Sequence, residues 1–137
     1  MMFPVTVVLI VVVEFCERFC YYTFSGTQKV WLQNRGYSSQ QSSSINLVFG
    51  MLSYMTCFLG GWLASTSLGQ YKTIAISAFI YVVGTGLAAA ATLPSLRNVP
   101  MYLCGTLGLL ALGAGGIKPN VGNMGADQID PAEPNAQ

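Results

Sequence analysis

No histidine occurs among the 137 residues, and only 8% of them are Asp, Glu, Lys or Arg. An ordinary soluble domain carries roughly 25% charged residues, so this chain could not wet a surface in the usual way. Five acidic and six basic side chains leave a net charge of +1. That balance excludes a nucleic-acid binder, which needs a basic face. It also excludes disorder, which combines low hydrophobicity with high net charge. Imidazole-based metal sites are excluded by composition. The four cysteines form no CxxC pair: Cys16 and Cys20 are one helical turn apart, and Cys57 and Cys104 stand alone in apolar runs. They read as small hydrophobes packed in a bilayer rather than as metal ligands. No metal, no cofactor and no enzymatic activity is expected.

What the chain has is apolar length, with 53% of its residues hydrophobic. At about 20 apolar residues per crossing, it holds at most four or five spans. Four segments stand out, at about 3–24, 45–68, 73–92 and 101–118, separated by polar joints. Backbone in lipid must satisfy its own hydrogen bonds, so spans of this length are helices. The expected fold is an all-α integral membrane protein with four transmembrane helices and the bilayer as its partner. Residues 1–130 form the helical bundle, and the proline-containing acidic residues 131–137 form a frayed tail. A signal peptide is excluded, because the cationic n-region is missing and charges interrupt the first apolar run. Glycine and alanine recur along the last three segments at spacings that let helices approach closely in lipid. Lys29, Arg35 and Arg97 lie on one side of the bilayer and Lys72 on the other, so by the positive-inside rule the termini face out.

The informative residues are charges where lipid should forbid them: Glu14, Glu17 and Arg18 in the first segment, and Lys118 near the end of the fourth. An ionised group at mid-bilayer costs from a few to more than 10 kcal/mol. The spacing of the first three puts them on one helical face. That face lines a polar cavity or meets opposite charge on another helix, and Tyr21 and Tyr22 extend it. One reading is a buried Glu14–Arg18 pair that only locks packing, but it leaves the second carboxylate unpaired. The other brings Lys118 in from another helix, giving two acids against two bases. A carboxylate facing a cation keeps its charge, and takes up a proton when the cation withdraws into an apolar setting. Helix movement then becomes proton binding, with protons as the coupling ion.

The stretch Glu14-Phe15-Cys16-Glu17-Arg18-Phe19-Cys20-Tyr21-Tyr22 resembles the ExxERFxYY motif of proton-coupled oligopeptide transporters, the POT or PTR family of the major facilitator superfamily. Gly60-Gly61-Trp62-Leu63-Ala64 with Leu68-Gly69-Gln70-Tyr71-Lys72 resembles the family's helix 2–3 junction, and Gly113-Ala114-Gly115-Gly116-Ile117-Lys118-Pro119-Asn120 its fourth-helix motif. The resemblance implies proton coupling by Glu14, Glu17, Arg18 and Lys118, with Lys118 as the salt-bridge partner. It implies substrate contact by Tyr21, Tyr22, Tyr54, Arg18 and Lys118, and gating or structural roles for Gly60, Gly61, Gly69, Lys72, Gly115, Gly116 and Pro119. The implied substrates are small peptides: a zwitterionic peptide presents both signs of charge, as the cavity does.

Two departures stand out. Ser65 occupies the family's aspartate position and Gln70 a commonly basic one, so the charges of one gating contact are replaced. The family fold has at least twelve helices, and this chain resembles its first four. The expectation is therefore a truncated N-terminal portion of a di- or tripeptide symporter, inactive without the missing C-terminal helices or a full-length relative. Two other readings are a complete four-helix exporter of the small multidrug resistance type working as a dimer, and a non-transporting membrane subunit.

Overall fold

A computed structural model describes residues 5–129, and the expected tail at 131–137 lies outside them. Helix α1 spans Val5–Gln33 and α2 spans Ser39–Leu63, which continues into a π-helical turn, Ala64–Leu68. Helix α3 spans Gln70–Thr92. The fourth rod consists of α4 (Val99–Leu103), a π-helical stretch (Cys104–Leu110) and α5 (Ala111–Ile129). Every described element is helical.

The helices are longer than their apolar runs. The polar stretch 25–44, expected as a joint, is helical except for a turn between Gln33 and Ser39. Two local causes place that turn. Gly36 adopts φ +94, which an L side chain resists, and ends α1. A capping box starts α2: the Gln41 N–H donates to Ser38 Oγ at 3.2 Å, and the Ser38 N–H donates to Gln41 Oε1 at 3.1 Å. The polar side chains farther in belong to the helix interface: Ser25 Oγ donates to Asn46 Oδ1 across α1 and α2 at 3.2 Å. Likewise Gln70 and Lys72, expected in a joint, form the first turn of α3, with Gly69 at φ +75 making the reversal. The last rod runs through Pro119 rather than ending at residue 118. At its other end the Asn98 side chain accepts from the Met101 N–H, and Pro100 occupies the first turn.

Among the described residues, three helices are long and apolar enough to cross a membrane: Ser39–Leu68, Gln70–Thr92 and Val99–Ala126. Helix α1, at 29 residues, has the length, and its charges are Glu14, Glu17, Arg18 and, toward its end, Lys29. The fourth rod is the centre of the bundle, with 56% of its most apolar window buried against 22% for each of the other two spans. It gets there through glycine. A Cβ on Gly60 of α2 would come within 2.7 Å of the Gly116 Cα, and Gly115 and Gly116 abut the side chains of Thr56 and Ser77. Backbones this close let Thr56 Oγ1 donate to the Ala111 carbonyl at 2.9 Å. The Asn120 Nδ2 donates to the carbonyls of Gly60 at 3.2 Å and Gly116 at 2.7 Å. The exposed side of α2 is left apolar, with Leu47, Phe58 and Trp62 all exposed.

Candidate functional site

Glu17 lies roughly 18 Å along α1 from Val5 at 1.5 Å per residue, well inside the span. Helical spacing fans the three α1 charges over an arc. Glu14 and Arg18 are more than a third exposed, whereas the Glu17 side chain is only 8% exposed and turns inward. Arg18 bridges both acids, with Nη2 at 3.6 Å from Glu14 Oε1 and Nε at 3.8 Å from Glu17 Oε2. The other Glu17 oxygen, Oε1, is buried without a hydrogen-bond partner. Glu17 is the charged residue of a cleft of about 230 Å³ between α1, α3 and α5, whose other lining includes Val13, Ile74, Tyr81 and Val121.

Lys118 enters from α5, and its placement differs from the expected salt bridge. Its Nζ is buried with no hydrogen-bond partner, and neither glutamate stands within ion-pair distance of it among the described residues. The ammonium rests instead on the Tyr21 ring, 3.3 Å from the centroid, with the Tyr54 ring at 5.4 Å. A cation over an aromatic face is stabilised by the ring quadrupole, most strongly when desolvated. Lys118 remains within electrostatic reach of Glu17. The aromatic holder is itself fixed: Tyr21 is buried and stacks on Phe49 at 5.3 Å.

Of the candidate residues, the fold brings Glu14, Glu17, Arg18, Tyr21, Tyr54 and Lys118 together. Tyr22 is 62% exposed and touches the group only edge-on through Tyr21. Gly60, Gly115 and Gly116 form the α2–α5 crossing beneath Lys118, and Pro119 follows it in α5. Proline supplies no N–H to the preceding turn, so the Gly115 carbonyl lacks its usual helical donor. Gly61 has open space around it, and Gly69 and exposed Lys72 belong to the α2–α3 joint. Three residues of the site escaped the sequence reading: Ser53, Cys57 and Tyr81. The Cys57 thiol donates to the Ser53 carbonyl at 3.1 Å, and Cys57 lies within electrostatic reach of Glu17, Arg18 and Lys118. The one signal for Ser53 and Cys57 was their spacing from Tyr54 on α2. No cluster able to hold a metal ion occurs among the described residues.

The sequence matches a family model described as the POT family over residues 71–137. Solute carrier family 15 member 2 of Danio rerio is 36% identical over 132 residues, covering 93% of this chain and 18% of that protein. The human member 2 is 38% identical over 133 residues, with the same two shares. Solute carrier family 15 member 1 of Rattus norvegicus is 33% identical over 141 residues, 93% of this chain and 20% of that protein. No solved structure matches. The chain thus spans about a fifth of the length of the curated relatives it matches. With its apolar helices, it is an integral, multi-pass membrane protein. These matches agree with the three motifs in order along the chain, and show that it is similar in sequence to the POT family and to solute carrier family 15 proteins.

Proposed function

We propose that the chain supplies the proton-coupling and peptide-binding helices of a proton-driven di- or tripeptide symporter. The observation that carries this reading is the pair Glu17 and Lys118. They are two charged groups on different helices, each buried with an unpartnered atom, held within reach of one another around Tyr21. A carboxylate in an apolar cleft keeps its charge only while a cation is near. When α5 shifts Lys118 away and Arg18 turns to a peptide carboxylate, Glu17 takes up a proton; when the cations return, the proton leaves. Arg18, half-exposed and already bridging two acids, is placed to trade one of them for a peptide carboxylate. Glu14 is then freed for the peptide ammonium, and Tyr21, Tyr22 and Tyr54 supply phenols for its backbone. Protons are the coupling ion, and no cofactor takes part.

Alternating access needs two bundles closing on a midplane site, and four rods cannot enclose one. The 137 residues by themselves therefore carry no peptide across a bilayer. The half-exposed Glu14–Arg18 edge faces further transporter helices, or those of a full-length relative.

The test replaces the matching segment of a full-length relative with these residues and measures uptake of labelled dipeptide into proteoliposomes under a proton gradient. The chimera accumulates dipeptide and the 137-residue chain alone does not. An inactive but folded chimera, or accumulation by the chain alone, contradicts the reading.

A further inference from the structure

Away from the charge cluster, the α1–α2 interface contains a polar arrangement that the transport reading does not use. Gln28 on α1 and Ser42 on α2 are both fully buried. Both side-chain atoms of the carboxamide, Nε2 and Oε1, and the Ser42 Oγ have no hydrogen-bond partner. The register sets the two side by side. The bond from Ser25 Oγ to Asn46 Oδ1 pins the antiparallel helices, and one turn onward α1 presents Gln28 where α2 presents Ser42. Leu32 and Phe49, each 0% exposed, lie farther along the same faces and offer no polar group.

Buried polar atoms are almost always satisfied, by protein or by ordered water. A carboxamide has two donors and an acceptor, and a hydroxyl one donor and an acceptor. One hydroxyl carries a single proton to donate, so a direct Gln28–Ser42 bond would satisfy only part of the carboxamide's two donors and its acceptor. Lipid supplies nothing in exchange. Asn120 is the counterexample within the same bundle: equally buried, it donates to the Gly60 and Gly116 carbonyls.

We infer that the α1–α2 interface holds a structural water between Gln28 and Ser42. The water donates to Gln28 Oε1 and accepts from both the Gln28 amide and the Ser42 hydroxyl, giving the three bonds usual for a buried water. The site is independent of any peptide or proton chemistry. Water makes the α1–α2 contact a hydrated seam rather than a dry one.

The test is water-edited solid-state NMR on the 137-residue chain in lipid bilayers, with the glutamine and asparagine side-chain amides labelled. The Gln28 signal is identified by its loss in Gln28→Met. If that variant does not fold, the glutamine that responds to Ser42→Ala identifies it. Magnetisation from water reaches the Gln28 amide as early as it reaches exposed Gln40, does not reach Asn120 on that timescale, and is largely lost in Ser42→Ala. A Gln28 amide as dry as Asn120 overturns the inference, and so does an amide whose shift moves in Ser42→Ala while it stays dry, the signature of a direct bond.

Discussion

The Lys118 ammonium sits 3.3 Å from the centroid of the Tyr21 ring, with no carboxylate in ion-pair range among the described residues. A tyrosine holding a buried lysine is a weaker grip than a salt bridge, and it leaves the cation free to move toward Glu17 or toward a ligand. Breaking a buried ion pair commonly costs 3–5 kcal/mol, whereas a desolvated cation–π contact is worth about 2 kcal/mol. A mobile coupling charge requires the smaller figure.

Tyr21→Leu removes the ring and leaves the more distant Tyr54 as the aromatic face for Lys118 among the described residues. It is expected to destabilise the bundle by about 2 kcal/mol. Tyr21→Phe keeps the ring and loses only the hydroxyl, and is expected to cost about 1 kcal/mol or less. Unfolding followed in detergent ranks the two; equal losses would show that the hydroxyl, not the ring, holds this region together.

Gly60 and Gly61 are neighbours with opposite sensitivity. A Cβ at Gly60 meets the α5 backbone at 2.7 Å, while one at Gly61 meets nothing within 4 Å. Gly60→Ala forces the helices apart and costs about 1–3 kcal/mol. Gly61→Ala gains about 0.5–1 kcal/mol of helix propensity. The difference in melting temperature between the two variants reads the contact, and similar values would mean that α2 and α5 do not cross at Gly60.

Asn120→Leu removes the side-chain bond from α5 to the Gly60 carbonyl. Loss of about 1 kcal/mol is expected, together with faster hydrogen exchange in the second half of α2. Exchange unchanged at that end would show that the bond is not made in the bilayer.

Much of the site was readable from residue types alone. Three charges in one apolar run, spaced to share a face, required a polar surface, and the structure places Arg18 between Glu14 and Glu17. The partner of Lys118 was not readable, because opposite formal charges suggest an ion pair and nothing in the sequence says that Tyr21 intervenes. Helix ends were misjudged for a related reason. Serine and glutamine at residues 25–44 suggest a loop, yet Ser25, Gln28, Ser42 and Asn46 spend their polarity between helices. Position 69 was legible because glycine followed by polar residues marks a reversal, whereas the π-helical stretches had no local signal.

The role of Glu17 and Lys118 is tested most directly in the full-length chimera, by comparing proton-driven accumulation of labelled dipeptide with its equilibrium exchange. Glu17→Gln, fixed in the protonated form, and Lys118→Ala, which removes the moving cation, abolish accumulation while exchange persists to some degree. If both variants still concentrate dipeptide against its gradient as well as the parent, Glu17 and Lys118 do not couple protons to transport.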